Sequence, residues 1–402
     1  MKALCWDGVG NLKLHDVPEP SILDGRDAII KVLASSVCGS DLHLINGYLP
    51  AMREGDIMGH EFMGEVVDVG PDVKRISPGD RVVVGSVIAC GSCWYCRNEE
   101  FSLCDNSNPQ PVMTEKLWGH APAGIIGYSQ AAGGFAGSHA EYVRVPFADI
   151  GSFRIPEGVE DMAAVFVSDA VPTGWMAAEM GGIKGGDVVA VWGAGGVGQM
   201  AARSAQLQGA GRVVVIDRFP DRLDTAAGQL GVETLDYTTD DVQEALRELS
   251  GGRGPDVCIE AVGMEAHQTG AVGAYDKAKH ALRMQTDRPS AVREAILACR
   301  KGGTVSIVGV FGGFVDKFPL GAAMNKALTL RMGQMHAQRY IPMLLERVAE
   351  GEIDPSYLAT HPLPLDEGPD GYRMFEQKRD GCLRAVFRPH TQLDGGSYTT
   401  GA

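Results

Sequence analysis

The pattern of hydrophobic positions divides the chain into two parts that differ in period. In the first part, short runs of β-branched residues are bounded by Gly, Pro or Asp, as in Ala28–Leu33, Gly64–Val69 and Arg81–Val84. Runs of this length with such boundaries are typical of strands joined by turns. The pattern therefore predicts a β-rich domain over residues 1–165.

In the second part, apolar strands alternate with helical patterns. Strands are predicted at Asp187–Trp192, Arg212–Asp217, Glu233–Tyr237, Asp256–Ala261, Thr304–Val308 and Leu328–Met332. Helices are predicted at about 240–250, 290–300 and 338–350. Six strands with intervening helices are typical of a doubly wound parallel sheet, so we expect an α/β domain over residues 166–325.

Two further stretches extend this plan. From residue 326 to 402 we expect the chain to return to the first domain, with a helix at Asp366–Lys378 and a strand at Cys382–Phe387. The polar stretch Gly263–Ala291 is longer than a strand crossover needs. Because it follows the carboxyl end of a strand, where ligands bind, we expect it to fold over a bound cofactor and slow its release. A solvated surface loop is the alternative.

Composition restricts the possible partners. The net charge of −15 argues against nucleic acid or an anionic membrane as the main partner. The N-terminus Met1–Trp6 lacks the features of a signal peptide. No apolar run approaches the roughly 20 residues that a membrane-spanning helix needs. We expect a cytoplasmic protein with a globular core.

Nine cysteines in such a chain suggest metal ligands before disulfides. Four of them follow the spacing Cys-x2-Cys-x2-Cys-x7-Cys, at Cys90, Cys93, Cys96 and Cys104. Four thiolates in one short loop can surround a zinc ion and leave no open position, which defines a structural site. We therefore predict a structural zinc lobe at about residues 88–106.

A fifth cysteine belongs to a different pattern. Cys38 is followed by Ser40, Asp41 and His43, and the sequence Gly59-His60-Glu61 comes after a polar loop. Thiolate and imidazole are the ligands that zinc favours, and a catalytic zinc needs a third ligand and one open position. Ser40 and His43 are suited to carry a proton away from such a site. The alternative is a buried cysteine near a turn histidine.

A third motif lies where the α/β pattern begins. Gly193-Ala194-Gly195-Gly196-Val197-Gly198 stands between a predicted strand and an Ala-rich helix, and Asp217 ends the next strand. Glycines at this spacing allow a tight turn on which a pyrophosphate can sit at the helix N-terminus. The carboxylate of Asp217 would accept hydrogen bonds from ribose hydroxyls and repel a 2′-phosphate. This favours NAD over NADP, although Arg218 stands beside it.

Taken together and in this order, these motifs resemble the zinc-dependent medium-chain alcohol dehydrogenases over nearly the whole chain. The resemblance implies a GroES-like catalytic domain interrupted by a Rossmann domain, with the active site in the cleft between them. The position that usually holds a third cysteine ligand looks like Asp169, within Ser-Asp-x-x-Pro-Thr. That departure resembles the glutathione-independent formaldehyde dehydrogenases and the related dismutases.

The resemblance also implies roles for individual residues. Cys38, His60 and Asp169 would bind the catalytic zinc, with Glu61 just behind it. Asp41 would orient the ring of His60, and Ser40 would pass the substrate proton by way of the nicotinamide ribose to His43. The residues implied to bind the cofactor are Thr173, Gly193, Gly195, Gly196, Val197, Gly198, Asp217, Arg222, Val262 and Val308.

The function implied is an oxidoreductase with one catalytic and one structural zinc, which transfers a hydride between a small alcohol or aldehyde hydrate and NAD. Formaldehyde is the leading substrate. The alternatives are a polyol, threonine or larger primary-alcohol dehydrogenase, an aldehyde dismutase with tightly bound NAD, and a nucleotide-binding protein that has lost catalysis. The family suggests a homodimer or homotetramer.

Overall fold

The computed structural model describes residues 1–266, 289–313 and 315–391. The chain divides into two compact units. The first unit comprises Met1–Cys93, Cys104–Val165 and the residues from Ala359 onward, and the second comprises Trp94–Leu103 and Phe166–Leu358. Within the described ranges, no helix combines the length and apolar character needed to cross a membrane.

The first unit is built on a seven-stranded sheet and a small hairpin. Its strands are β1 Lys2–Trp6, β2 Leu12–Asp16, β3 Ala28–Ser36, β4 Glu61–Val69, β5 Arg81–Val84, β6 Tyr142–Val145, β7 Ser152–Arg154, β14 His361–Pro364 and β15 Ala385–Arg388. The sheet has the order β14-β15-β3-β4-β5-β7, and β6 pairs with β3. The hairpin joins β1 and β2. The tail of the chain thus belongs to this sheet, because β15 pairs antiparallel with β3.

Alternate residues of these strands form one core. Ile30 and Val32 of β3 pack with Phe62 and Val66 of β4 and with Val82 of β5, and all five are buried. This period of two is what a sheet with one face on the core requires. The helices of this unit are Gly39–Ile45, Val112–Trp118, Ala148–Gly151, Asp161–Ala164 and Gly368–Gln377.

The second unit contains a six-stranded parallel sheet. Its strands are β8 Val188–Trp192, β9 Arg212–Asp217, β10 Glu233–Asp236, β11 Val257–Glu260, β12 Thr304–Ile307 and β13 Thr329–Met332. They have the order β10-β9-β8-β11-β12-β13, with every pair parallel. This is the doubly wound order, so the predicted α/β fold class is confirmed.

Helices cover both faces of this sheet. Ala190 and Trp192 of β8 lie in one hydrophobic core, and Val189 and Val191 lie in the other. A strand buried on both faces reads as a continuous apolar run, which is why the sequence pattern identified it. The helices assigned to this unit are Ala170–Gly181, Gly196–Leu207, Pro220–Leu230, Val242–Leu249, Ser290–Ala298, Leu320–Asn325 and Ala337–Ala349, together with the short helix Trp94–Arg97 of the cysteine loop.

The position at which the chain returns to the first unit differs from the predicted position. The chain was expected to leave the α/β unit at residue 326, whereas the second unit extends to Leu358. The reason is that β13 pairs with β12 as the sixth strand of the parallel sheet. The helix Ala337–Ala349 then contributes buried side chains to the same unit, among them Ile341 and Leu344.

The predicted insertion falls mainly on residues 267–288, which lie outside the described residues. The described part of it begins with a short 3₁₀ turn, Gly263–Glu265, directly after β11. It ends at the helix Ser290–Ala298. Closure over a cofactor therefore stays a prediction.

Candidate functional site

The first candidate ligand, Cys38, is fixed by the helix that follows it. Cys38 has extended backbone angles and stands immediately before the helix Gly39–Ile45. The Asp41 carboxylate reaches back and accepts a hydrogen bond from the Cys38 backbone N–H through Oδ2 at 2.9 Å. This is one half of a capping box, which holds the first turn and the residue before it in one geometry.

The same carboxylate orients His60. Asp41 Oδ1 lies 3.1 Å from His60 Nδ1, and both side chains are buried. With Nδ1 facing Asp41, the Nε2 atom of the ring is left to face a metal, and Ser40 Oγ lies 3.3 Å from it. A carboxylate behind an imidazole fixes the ring orientation and raises its basicity as a ligand.

The electrostatics of this pair suit a cation. Burial lowers the pKa of His60, but Asp41 and, to a lesser extent, Cys38 outweigh burial through their charges and hydrogen bonds and raise the pKa well above its usual value. Burial raises the pKa of Asp41, but the charge and hydrogen bond of the His60 ring lower it, and the pKa ends below its usual value. The Asp41 carboxylate therefore favours a positive charge at the His60 imidazole. Either a proton or a metal ion can supply this charge, and the two compete for the ring.

Three donors meet at this point. The Sγ of Cys38, a ring nitrogen of His60 and a carboxylate oxygen of Glu61 all lie within 4.8 Å of one another. Arg384 is also buried there, with a guanidinium nitrogen 3.3 Å from Glu61 Oε1, and it donates a hydrogen bond to the Val37 carbonyl at 2.5 Å. A thiolate, an imidazole and a carboxylate fit the ligand preferences of zinc.

The residue before His60, Gly59, is in close contact with a second buried histidine, His139. Gly59 has φ +95°, and a Cβ atom at this position would overlap the ring of His139. His139 is buried, its Nδ1 lies 2.8 Å from Ser35 Oγ, and its ring packs edge-on against Phe387 at 4.9 Å. Burial lowers the pKa of His139 to about 4. It is a neutral packed histidine.

Other residues near this site have separate environments. His43, predicted to end the proton relay, is buried on the helix Gly39–Ile45 with its ring 6.5 Å from that of Tyr48.

Tyr128 was not predicted from the sequence to lie near this site. Its ring lies 5.9 Å from that of His60 at an angle of 81°, and its hydroxyl is within hydrogen-bonding reach of Ser40.

The predicted third ligand, Asp169, belongs to the second unit. It stands immediately before the helix Ala170–Gly181. Its Oδ1 accepts a hydrogen bond from the hydroxyl of Thr173 at 3.3 Å. The structure thus brings together Asp169 and Thr173, and the role of Asp169 as a zinc ligand stays a prediction.

The four patterned cysteines form a second donor cluster. The Sγ atoms of Cys90, Cys93, Cys96 and Cys104 all lie within 4.8 Å of one another. Burial raises the pKa of the Cys90 thiol, but hydrogen bonds from Ser92, Cys93 and Asn106 lower it overall to about 6. A thiolate is therefore favoured at Cys90, and four cysteine sulfurs at this separation fit a closed tetrahedral zinc site.

In the second unit, the glycine motif forms the turn between β8 and the helix Gly196–Leu207. Gly193 has φ +102°, and a Cβ atom on Gly198 would overlap the Gly193 carbonyl oxygen. Both positions therefore require glycine. Gly195 is the residue before the helix, and Val197 lies in its first turn. Free backbone N–H groups at this helix start fit a dinucleotide pyrophosphate.

Asp217 ties the end of β9 to this turn. Its Oδ2 accepts a hydrogen bond from the Ala194 N–H at 2.7 Å, and its Oδ1 accepts one from the Arg218 N–H at 2.6 Å. The Arg222 guanidinium reaches to 3.7 Å from the Cβ position of Gly195. A carboxylate and a guanidinium therefore flank the same turn.

Two predicted cofactor residues follow neighbouring strands. Val262 comes after β11, and its Cγ2 lies 3.0 Å from the Cβ position of Gly193. Val308 comes after β12 and donates a backbone hydrogen bond to the Glu260 carbonyl at 3.0 Å. Both lie at the carboxyl edge of the parallel sheet, together with the glycine turn.

Comparison with known proteins agrees with this geometry. Residues 24–157 match the family model for the alcohol dehydrogenase GroES-like domain, and residues 196–281 match that for zinc-binding dehydrogenase. The zinc-type alcohol dehydrogenase-like protein AdhB of Bacillus subtilis is 40% identical over 97% of this chain and 100% of its own length. A glutathione-independent formaldehyde dehydrogenase of the same organism is 32% identical, covering 98% of each chain.

Among solved structures, the alcohol dehydrogenase TADH from Thermus sp. ATN1 is similar with a TM-score of 0.80 and 33% identity, covering 96% of this chain and 99% of that one. The chain therefore belongs to the zinc-binding alcohol dehydrogenase family. The predicted family, the GroES-like and Rossmann architecture and the assignment as a zinc oxidoreductase are confirmed.

The two donor clusters predict two zinc ions per chain. Elemental analysis of purified protein should find both. Cys38→Ser should remove one ion and leave the thermal midpoint nearly unchanged, because the strands around it keep their own core. Cys96→Ser should remove the other ion and lower the thermal midpoint, because the cysteine loop depends on its metal. A wild-type protein with one ion or none would contradict the prediction.

Gly59 should be indispensable for the first cluster. Gly59→Ala combines the strain of a positive φ with overlap on His139, and should cost roughly 2–5 kcal/mol of unfolding free energy together with the zinc held by His60. Gly55→Ala is the matched control. Gly55 has φ +92° with nothing within 4 Å of its Cβ position, so only the strain applies, at roughly 1–2 kcal/mol. Equal urea midpoints for the two variants would contradict the prediction, because they would show that the overlap of the new Cβ atom with the His139 ring is relieved without cost.

Proposed function

We propose that this protein is an NAD-dependent zinc dehydrogenase that oxidises a small alcohol or aldehyde hydrate, with formaldehyde as the leading substrate. The observation that carries the proposal is the meeting of Cys38, His60 and Glu61 donors with the Ser40 hydroxyl 3.3 Å from His60 Nε2. Alcohol oxidation requires a group beside the metal that can take the substrate proton, and the Ser40 hydroxyl is placed for this role. The relative named as a formaldehyde dehydrogenase supports the substrate.

The residues divide the work as follows. Cys38 and His60 would hold the zinc with Asp169 as the third ligand, and Asp41 keeps His60 oriented. A zinc ion at this place supplies Lewis-acid polarisation of a hydroxyl group. Ser40 accepts the substrate proton and passes it toward His43. The reaction is a hydride transfer from the substrate carbon to a nicotinamide.

The ion pair behind the site adds a constraint on charge. Glu61 and Arg384 are both buried, at 0% and 2% exposure, and lie 3.3 Å apart. Removing one partner of a buried pair leaves an uncompensated charge, which is costly. Arg384 therefore lets a carboxylate lie beside Cys38 and His60 without an excess of negative charge at the metal position.

For formaldehyde, the reacting species is its hydrate, a geminal diol that presents a hydroxyl as an alcohol does. The Tyr128 ring lies beside His60, with the two ring centroids 5.9 Å apart. We further propose that the protein works as a homodimer or homotetramer in the cytoplasm.

The substrate proposal is tested by a steady-state screen of formaldehyde, ethanol, benzyl alcohol and threonine, with NADH formation as the readout. Formaldehyde should give the highest kcat/KM. Ser40→Ala should lower kcat by roughly 10²–10⁴-fold, and His43→Ala by less, because solvent can replace the outer step of a relay. A higher kcat/KM for threonine or benzyl alcohol would show that formaldehyde is not the preferred substrate. Formaldehyde turnover without added NAD would indicate an aldehyde dismutase with tightly bound NAD. No turnover of any substrate would indicate a nucleotide-binding protein that has lost catalysis.

Asp217 should determine the choice of cofactor. Its carboxylate lies at the end of β9, where it would accept hydrogen bonds from ribose hydroxyls and repel a 2′-phosphate. Asp217→Gly should lower kcat/KM with NAD and raise it with NADP, aided by the Arg222 cation near the turn. The measurement is kcat/KM for both cofactors in both proteins. Similar values for NAD and NADP in the wild type would contradict the assignment.

A further inference from the structure

The strand β11 ends in a carboxylate for which the proposed chemistry has no use. Glu260 is fully buried at the carboxyl end of this strand, and β11 lies between β8 and β12 in the sheet. Burying a carboxylate is costly unless N–H groups satisfy it, and an apolar side chain would serve the core better. Glu260 therefore has a purpose other than packing.

Glu260 joins the two loops that follow β11 and β12. Its side-chain Oε1 accepts hydrogen bonds from the N–H groups of Val262 at 3.0 Å and Gly263 at 2.7 Å. Its backbone oxygen accepts hydrogen bonds from Val308 at 3.0 Å and Gly309 at 3.1 Å. The Glu260 side chain thus fixes the loop after β11, and the backbone of the same residue binds the start of the loop after β12.

Two glycines let the loops close around the carboxylate. A Cβ atom on Gly309 would overlap a carboxylate oxygen of Glu260. Gly263 has φ +59°, and a Cβ atom there would lie 2.5 Å from the Val310 nitrogen. Burial raises the pKa of Glu260 to about 7, against the lowering effect of N–H groups of Gly263, Val262 and Gly309. Oε1 can accept these hydrogen bonds in the neutral form as well as in the charged form.

The loop held by Glu260 borders the glycine turn. The Ala261 carbonyl oxygen and the Val262 Cγ2 both lie 3.0 Å from the Cβ position of Gly193, the first residue of that turn. A shift of the Ala261–Gly263 backbone would therefore move a wall of the turn. The sheet beneath would be unaffected, because its ladder bonds between β11 and β12 do not involve the Glu260 side chain.

We propose that Glu260 is a positioning residue for the dinucleotide, which holds the loops after β11 and β12 in the shape that the cofactor needs. This inference rests on the proposed function, because it assumes a dinucleotide on the glycine turn. The position of the acceptor oxygen matters in this role, and the charge of the side chain does not.

Two conservative variants separate position from charge. Glu260→Gln keeps the acceptor oxygen in place and removes the charge, whereas Glu260→Asp keeps the charge and withdraws the oxygen by one methylene. Glu260→Asp should raise the Kd for NADH about tenfold or more, because the Val262 and Gly263 N–H groups lose their acceptor and the loop beside the glycine turn shifts. Glu260→Gln should bind NADH about as tightly as the wild type.

The matched control lies at the opposite end of the same strand. Asp256 accepts a hydrogen bond from the Val188 N–H at 2.9 Å and pairs with Arg300 at 2.5 Å. Asp256→Asn should lower the thermal midpoint and leave the Kd for NADH unchanged, since it perturbs the sheet away from the turn. The readouts are NADH fluorescence titration, the thermal midpoint and the separate values of kcat and KM for NAD.

The outcomes distinguish this inference from the proposed function. If the wild type binds neither NADH nor NADPH, the proposed function is wrong. If the wild type binds NADH and Glu260→Asp binds it equally well, the positioning role is wrong. It is also wrong if Glu260→Gln weakens binding as much as Glu260→Asp does, or if Asp256→Asn weakens binding to the same extent, because charge or general stability would then be the cause.

Discussion

A buried contact between the Asp41 carboxylate and the ring of His60 sets the geometry of the candidate metal site. One oxygen of Asp41 fixes the backbone of Cys38 and the other faces His60, 3.1 Å away. Two donors that are distant in the chain are therefore placed by one side chain. A buried carboxylate is unfavourable by itself, and this one is stabilised by the Cys38 N–H and by positive charge on the imidazole or on a metal bound to it. The site thus has the electrostatics of a metal centre.

The dinucleotide turn depends on a different constraint, the absence of side-chain atoms. The turn closes because Gly198 approaches the Gly193 carbonyl more closely than any other residue could. The same holds on the neighbouring strands, where Gly263 and Gly309 allow the loops to close around Glu260. Asp217 then links the turn to the end of β9 through the Ala194 N–H. Close backbone approach at glycines and the carboxylates of Asp217 and Glu260 together shape this edge of the sheet.

The parts of this structure that depend on local spacing could be predicted from the sequence. The cysteine loop and the glycine turn are short motifs whose geometry follows from residue spacing. Arg384 could not be predicted to lie beside Glu61, because that contact depends on the pairing of β15 with β3 across most of the chain. Tyr128 was missed because the Gly-rich stretch around it has no periodic pattern. The boundary at residue 326 was wrong because it was placed before a strand and a helix that the sequence did predict, β13 and Ala337–Ala349, and both belong to the second unit.

The crowding around Gly59 has a consequence for how such an enzyme can evolve. A Cβ atom on Gly127 would overlap the Gly59 carbonyl, and one on Gly137 would overlap the Met58 carbonyl, so three glycines interlock directly behind His60. A side chain at any of these three positions would meet backbone atoms or the His139 ring at less than 3 Å. A change of substrate is therefore easier to obtain by exchanging a side chain beside the donor set, such as Tyr128, than by altering the backbone around Gly59.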